Sequence, residues 1–243
     1  MSDDSWRVPD GSEAARAALA RDGYALTSDC AIGLSDDFRE RFRRAYFNPE
    51  TLHHDEGDWP VDRLRARDVI HYQWCDDELR LQRHDTITIT DRADIPGERD
   101  HSRVELADDE MARKLIRAFL DLVPKGRRQA DSTFGINLFR TFSNVVTKPH
   151  HDGEEFIIIY VADRVGDGAE SRLYLPEDVD DEGKVIGAPV LKHQLNPGDL
   201  IIFEDSKFKH DASPLIPLAD GSRQRDAVVC TVDYHDTYLS SPN

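Results

Sequence analysis

The second half of the chain is dominated by short apolar segments separated by turn residues, and this pattern limits the folds open to it. From Thr133 onward, runs rich in β-branched and aromatic residues alternate with Gly, Pro and Asp. The runs are Phe134–Phe142, Phe156–Val161, Ser171–Leu175, Val190–Leu195, Leu200–Phe203 and Ala227–Val232. Many short strands with such turns are typical of a jelly roll or barrel, so we expect a mainly β core here.

The first half carries helical patterns that are expected to pack outside this core. Ser12 is a candidate N-cap for a helix that Gly23 would end, and Ser35 is a candidate N-cap for a second helix. The clearest helix runs from Asp109 to Val123, with Asp108 as its cap. Its apolar residues share one face, which predicts that it buttresses one face of a sheet.

A His-x-Asp pair lies just before the apolar run Phe156–Val161. Residues two apart in a strand face the same side, so His150 and Asp152 would point together while His151 points away. A third ligand must come from elsewhere, and His210 is the best candidate because a first and a late strand of a jelly roll lie side by side. Two His and one carboxylate with open positions form the donor set of non-haem Fe(II) oxygenases. The alternative is a set of unrelated surface residues, since a His-x-Asp pair also occurs by chance.

These patterns predict one α+β domain over residues 1–243, with helices in the N-terminal half buttressing the β core. Residues 1–130 would form a helical and β part packed on the core, and residues 131–236 the metal-binding β core. A length of 243 residues lies within the range of one β-rich domain.

Arg225 opens the last apolar segment. A guanidinium at the mouth of a β core can bind a carboxylate through two parallel hydrogen bonds. Burying an arginine without an anion is costly, so an inward Arg225 predicts an anionic ligand, such as a dicarboxylate that chelates the iron at its other end. The alternatives are a surface arginine before a strand, or Arg223 of the preceding polar turn in the same role.

Arg140 is a candidate for binding a substrate carboxylate. It lies on the same side of its predicted strand as Ile136 and Leu138, and it could reach a substrate if that side faces inward. The alternative is a structural ion pair with an acidic residue.

The composition excludes several classes of partner. The chain has 31 Lys and Arg against 48 Asp and Glu, and its net charge of −17 disfavours nucleic acids and acidic carrier proteins. No segment approaches the roughly 18 apolar residues of a membrane span, and the acidic start does not resemble a secretory signal. The three widely spaced cysteines fit a reducing compartment. We therefore expect a cytoplasmic protein that binds a small molecule, neither nucleic acid nor membrane, with its oligomeric state left open.

Several motifs together resemble the bacterial Fe(II)/2-oxoglutarate dioxygenases that hydroxylate free amino acids, with the isoleucine 4-hydroxylase group closest. They are His150-His151-Asp152-Gly153, Phe156, Gly168-Ala169-Glu170-Ser171-x-x-Tyr174 and Arg225-Asp226. The resemblance covers roughly residues 65–235. Two departures stand out: the group usually has Pro-Glu-Gly before its His-x-Asp-Gly, where this chain has Thr147-Lys148-Pro149, and Gly-Gly-Glu-Ser where this chain has Ala169 in second place.

The resemblance implies a double-stranded β-helix of the cupin-like kind. It also implies that His150, Asp152 and His210 bind Fe(II), that Arg225 anchors the cosubstrate 2-oxoglutarate, and that O₂ oxidises an unactivated C–H bond. Phe156 joins Arg140 as a candidate substrate-binding residue, and a free amino acid is the expected substrate. Related halogenases have a small residue where Asp152 stands, so hydroxylation is expected.

Two other functions remain open at the level of sequence. A cupin-like metalloenzyme of another class would keep the metal site but would not need an inward Arg225. A non-enzymatic jelly-roll binding protein would need no metal at all.

Overall fold

The computed structural model describes residues 9–54, 62–75, 77–84, 88–89, 97–98, 103–143 and 148–233, and the statements below concern those residues. The helices are Asp10–Asp22 (α1), Asp36–Tyr46 (α2) and Glu110–Leu120 (α3). The strands of the first half are Tyr24–Ser28 (β1), His53–His54 (β2), Leu64–Cys75 (β3), Glu78–Arg83 (β4), Thr88–Ile89 (β5) and Gly97–Glu98 (β6). Those of the second half are Asp131–Thr141 (β7), Phe156–Val165 (β8), Asp167–Gly168 (β9), Glu170–Tyr174 (β10), Leu191–Gln194 (β11), Asp199–Glu204 (β12), Lys209–Ala212 (β13), Leu215–Ile216 (β14) and Gln224–Val232 (β15). Each run predicted as a strand overlaps one of these.

The longer strands form two antiparallel sheets. The main sheet has the order β1-β12-β8-β15-β7-β3-β2, with β4 also paired to β3. The second sheet has the order β11-β10-β13, and a bridge between His150 and His210 adds the loop before β8 to its edge. One apolar cluster contains residues of both sheets, so the sheets face each other. The predicted jelly-roll core, outside which the helices pack, is confirmed.

The two faces of the main sheet meet different partners. Ile157 and Ile159 of β8 pack in the cluster shared with the second sheet, and we call this face the barrel side. Ile158 and Tyr160 point to the other face, the helix side, where the ring of Phe119 of α3 lies 5.7 Å from that of Tyr160. Because side chains alternate along a strand, the position of a residue in its strand determines whether its side chain points to the barrel side or to the helix side.

The first half of the chain also contributes strands to the main sheet. β1 pairs with β12 and β3 pairs with β7, so the sheet continues across residue 130. The division of the chain into domains stays a prediction, and residues 234–236 of the predicted core lie outside the described residues. No helix in the described part of the chain has the length and apolar character needed to cross a membrane.

The helix boundaries correct two of the predicted caps. Ser12 is buried within the first turn of α1, which begins after Pro9, so Ser12 is not its N-cap. For α3 the cap is Asp109 rather than Asp108, because Asp109 has the extended backbone of a cap and accepts from the N–H of Ala112 at 2.8 Å. That helix also ends earlier than predicted, at Leu120. Ser35 caps α2 as predicted, accepting from the N–H of Phe38 at 3.1 Å.

Candidate metal centre

The three predicted metal ligands lie together where the loop before β8 meets β13. The N–H of His150 donates to the carbonyl of His210 at 3.1 Å, and the reverse bond is 2.9 Å long. Asp152 places its two carboxylate oxygens 3.3 Å from Nε2 of His150 and 3.6 Å from Nε2 of His210. One donor atom of each residue lies within 4.8 Å of the others. Ligand atoms about 2.1 Å from one ion would be about 3 Å apart, so the triad of His150, Asp152 and His210 can converge on a single metal.

The hydrogen bonds and charges of the triad set the protonation of its members, and they favour the metal-binding forms of Asp152 and His210. Nδ1 of His150 lies 2.9 Å from the carbonyl of Lys148, so a proton on Nδ1 leaves the lone pair of Nε2 free. Burial raises the pKa of Asp152, but the neighbouring histidines outweigh burial and hold that pKa below its usual value. Burial, together with the charge of His150, lowers the pKa of His210, so its imidazole is held neutral. For His150, burial lowers the pKa but Asp152 outweighs it, and the net shift is upward.

Asp205 lies directly behind the triad, and no motif in the sequence marks it. Its side chain is buried, and one carboxylate oxygen accepts from the N–H groups of Asp152, Gly153 and Glu154. Backbone N–H groups carry no sequence signal, so only the folded loop shows that Asp205 collects them.

Glu154 is a second acidic residue that sequence reasoning missed. It is 5% exposed, and its Oε2 atom has no hydrogen-bond partner in the part of the chain that the structure describes. Burial, followed by the charges of Asp152, Asp205 and Asp233, raises the pKa of Glu154 to about 9. In the absence of a bound cation its carboxyl group is therefore neutral at physiological pH.

Arg225 points to the barrel side. It alternates with Asp226, which faces the helix side, and it shares its face with Val229 of the barrel cluster. The guanidinium is buried, and its Nε and Nη2 atoms have no hydrogen-bond partner among the described residues. Burial and then the charge of Arg164 lower the pKa of Arg225 to about 10. Such a group is suited to an anion that enters the barrel.

Arg140 does not have the predicted role. It shares its face with Ile136 and Leu138, and both belong to the core on the helix side. Its Nε and Nη2 atoms each donate to Asp226 at 2.7 Å, and Nη2 also donates to the carbonyl of Phe47 at 2.9 Å. The face that would have to point inward for that role points to the helices, so the alternative of a structural ion pair is the one that the structure shows.

Phe156 is also placed away from the barrel side. It is fully buried in the core on the helix side, together with Ile158 and Tyr160. The guanidinium carbon of Arg127 lies 4.5 Å from the centre of its ring and covers it. These contacts are those of a core residue, and they correct the prediction that Phe156 contacts substrate.

Comparison with known proteins identifies both a family and a fold. The model of the 2OG-Fe dioxygenase family matches residues 50–231, which is more than half of the chain. A bsmA homolog from Methylobium petroleophilum PM1 is 20% identical, covers 93% of this chain and 94% of its own, and has a TM-score of 0.66. No curated protein matches the chain.

Two further solved structures show the same fold. IDO from Bacillus thuringiensis is 12% identical, with 92% of this chain and 99% of its own covered and a TM-score of 0.61. The Fe(II)/(alpha)ketoglutarate-dependent dioxygenase TqaL is 12% identical, with 91% and 88% covered and a TM-score of 0.65. At such low identity the likeness shows a shared jelly-roll architecture and does not extend to substrates.

Proposed function

The chain belongs to the 2OG-Fe dioxygenase family, and from this membership we propose that the triad binds its iron and that Arg225 binds 2-oxoglutarate. An enzyme of this family is an oxidoreductase that uses Fe(II), 2-oxoglutarate and O₂. The proposed reaction is the hydroxylation of an unactivated C–H bond in a small molecule.

The observation that carries the proposal is the buried guanidinium of Arg225 on the barrel side. A buried charged group without a partner is rare and costly, and it is expected where a ligand completes the pairing. 2-Oxoglutarate has a carboxylate at each end, so it can chelate a metal with one end and accept hydrogen bonds from Arg225 with the other. The donor set of the triad, one carboxylate and two imidazoles, suits a metal with open positions for such a chelate.

The residues of the chain prepare the site for this chemistry. Bound iron, together with O₂, supplies the oxidation in which 2-oxoglutarate becomes succinate and carbon dioxide while one oxygen atom enters the substrate C–H bond. The hydrogen bond from Nδ1 of His150 to Lys148 fixes the ring with Nε2 toward the metal position. The ring of Phe203 lies 5.0 Å from that of His210, and it belongs to the apolar barrel cluster, so one side of the site is apolar.

We propose further that the substrate is a free amino acid, as in the isoleucine 4-hydroxylase-like group that the sequence resembles. The support comes from the motifs between His150 and Ser171, and from the net charge of −17, which disfavours an acidic carrier protein. A cytoplasmic location is part of the same proposal, since Cys30, Cys75 and Cys230 are all free thiols.

The test is a screen of free amino acids with purified protein, Fe(II) and 2-oxoglutarate. A substrate is expected to gain one oxygen atom by mass spectrometry, with one succinate formed per product. Arg225→Met should raise the KM for 2-oxoglutarate by about 100-fold, because two charge-assisted hydrogen bonds are lost.

Arg223→Met is the matched control, since Arg223 is an exposed arginine two residues away. It should leave the KM for 2-oxoglutarate unchanged. An unchanged KM in the Arg225→Met protein would contradict the anchoring role, and turnover without 2-oxoglutarate would favour the cupin-like alternative. Product formation from small molecules other than amino acids, with none from amino acids, would reject the proposed substrate class alone.

A further inference from the structure

Asp205 connects the two chain segments that carry the triad. It begins the 3₁₀ turn Asp205–Lys207, which joins β12 to β13, the strand of His210. Its side chain is 2% exposed, so its carboxylate must find its partners within the protein. Those partners lie in the loop that carries His150 and Asp152.

One oxygen of Asp205 organises that loop. Oδ2 accepts from the N–H of Asp152 at 2.9 Å, of Gly153 at 2.7 Å and of Glu154 at 3.2 Å. Three successive N–H groups converge on it because the loop turns at Gly153, where φ is +88°. Hydrogen bonds to a carboxylate are about twice as strong as neutral ones, so this contact fixes the backbone of the ligand Asp152.

The backbone of Asp205 adds to the same connection. Its N–H donates to the carbonyl of Glu155 at 3.3 Å, and its carbonyl accepts from Nδ1 of His151. His151 is thereby tied to Asp205, whose Oδ1 atom lies 4.0 Å from Nδ1 of His151.

The other oxygen of Asp205 faces the second histidine of the triad. Oδ1 lies 3.9 Å from Nδ1 of His210, and neither atom has a hydrogen-bond partner within the described ranges. A distance of 3.9 Å is too long for a hydrogen bond, so a buried acceptor and a buried ring nitrogen face each other without bonding. A metal on Nε2 of His210 requires the remaining ring proton to lie on Nδ1, where it points at this oxygen.

We propose that Asp205 is a positioning residue for the metal centre, with a separate task for each oxygen. Oδ2 holds the loop of His150 and Asp152, and Oδ1 accepts from Nδ1–H of His210 when Nε2 binds the metal. The inference rests on the proposed function, because it takes the triad as the set of ligands. It assigns Asp205 no contact with substrate or metal.

Binding of Co(II) to the metal-free protein tests this role without catalysis. The dissociation constant is measured by titration of the cobalt absorption bands, and His150→Ala should abolish binding if the triad is the site. Asp205→Asn keeps a carbonyl oxygen for the three N–H groups but turns an amino group toward His210. We expect it to weaken Co(II) binding by about 10- to 100-fold, and Asp205→Ala to weaken it at least as much.

A second readout separates positioning from general stability. In the Co(II) protein the imidazole N–H protons of the two ligand histidines give shifted, exchangeable proton NMR signals. The wild type should show two such signals, one protected by the carbonyl of Lys148 and one by Asp205. Asp205→Asn should lose the second signal and keep the first.

Asp211→Asn is the matched control. Asp211 adjoins His210 and is also buried, but it faces away from the triad and binds Arg172 through two contacts of 2.7 Å. It should bind Co(II) within about threefold of wild type and keep both signals.

The possible failures are distinguishable. If the wild type does not bind Co(II), or if His150→Ala binds as the wild type does, the triad is not the site, and the proposed function and the role of Asp205 fall together. If His150→Ala abolishes binding while Asp205→Asn binds within about twofold of wild type with both signals, only the role of Asp205 is overturned. Should Asp205→Ala fail to fold, Asp205→Asn decides the question.

Discussion

The two faces of the main sheet differ in how they pair their buried charged groups. On the helix side, Asp226 accepts two hydrogen bonds from Arg140. Asp29 accepts a hydrogen bond from Arg39 at 2.7 Å and another from the hydroxyl of Tyr160 at 3.1 Å. On the barrel side, polar atoms at the same depth of burial lack hydrogen-bond partners within the described residues. They are Nε and Nη2 of Arg225 and Oγ1 of Thr133, and on the facing second sheet Oγ of Ser171 and Nδ1 of His210. Two neutral groups on the helix side, Oγ of Ser12 and Nε1 of Trp74, also lack a hydrogen-bond partner in the described part of the chain.

The difference shows which part of the core serves stability and which serves binding. Burial is similar on the two faces, so burial alone does not identify a site. A buried polar group that the protein leaves without a partner costs stability, and such groups are expected where a ligand supplies the missing partner. Arg225 is such a group on the barrel side, and it supports the proposal that the ligand binds there.

The largest effect that tests this comparison is expected on the helix side. Arg140→Met leaves the carboxylate of Asp226 buried without its cation, and the free energy of unfolding should fall by about 3–5 kcal/mol. Urea denaturation measures the change. The double variant Arg140→Met/Asp226→Leu should recover most of the loss, because it removes both charges. A loss below about 1 kcal/mol in the single variant would mean that the helix side does not depend on this pairing.

Much of the fold was predictable because local sequence patterns determine where its strands lie. The runs that became β7, β8, β12 and β15 have the residue composition of strands, and the His-x-Asp spacing already placed two triad members side by side. The order of the strands suggested His210 as the third ligand, the place of Arg225 before the last strand made it a candidate anchor, and the resemblance to a known family implied the same two roles. The resemblance also flagged Ala169, which replaces a glycine of that family and has a φ of +49°. That backbone region favours glycine, so the departure in the sequence corresponds to a strained position.

The inward face and the surroundings of the triad could not be predicted from local patterns. Alternation shows which residues share a face, but not whether that face meets helices or the second sheet, and this misplaced Arg140. Phe156 was assigned to substrate with the family resemblance, which did not show its face either. The partner of Arg140 is set by the register of β15 on β7, where Asp226 lies opposite it. Asp205 acts through backbone N–H groups, which every residue except proline has, so its role depends on the folded loop alone.

A second test concerns the carboxyl group of Glu154, whose Oε2 atom has no hydrogen-bond partner among the described residues. Burial raises its pKa to about 9 in the folded protein, whereas in the unfolded chain it ionises near its ordinary value of 4.5. The stabilising contribution of the protonated group is therefore complete below pH 4.5 and is lost as the pH rises through 9. For the metal-free protein in chelator, the free energy of unfolding should fall by on the order of 2 kcal/mol more between pH 5 and 9 in the wild type than in Glu154→Gln.

The adjacent Glu155 provides the control for this pH series. It pairs with Arg127 and is partly exposed, so Glu155→Gln should keep the pH dependence of the wild type. Parallel curves for wild type and Glu154→Gln would show that Glu154 is ionised in the folded, metal-free protein, and that its carboxylate is paired or solvated beside the triad.

The smallest effect on stability is expected for Arg225→Met, in contrast to Arg140→Met. Arg225→Met removes a buried guanidinium whose Nε and Nη2 donors meet no acceptor in the described part of the chain, so unfolding should require the same free energy as in the wild type or about 1 kcal/mol more. With Mn(II) in place of iron, 2-oxoglutarate at 100 times its dissociation constant should stabilise the wild type by about 2.7 kcal/mol and the variant much less. Thermal and urea denaturation measure both the ligand-free stability and the stabilisation by 2-oxoglutarate.

The same arginine-to-methionine change is thus expected to lower stability at Arg140, which pairs with Asp226, and to weaken 2-oxoglutarate binding at Arg225. A loss of several kcal/mol in ligand-free Arg225→Met would show that this arginine is paired within the fold, and the distinction between the two faces would no longer hold.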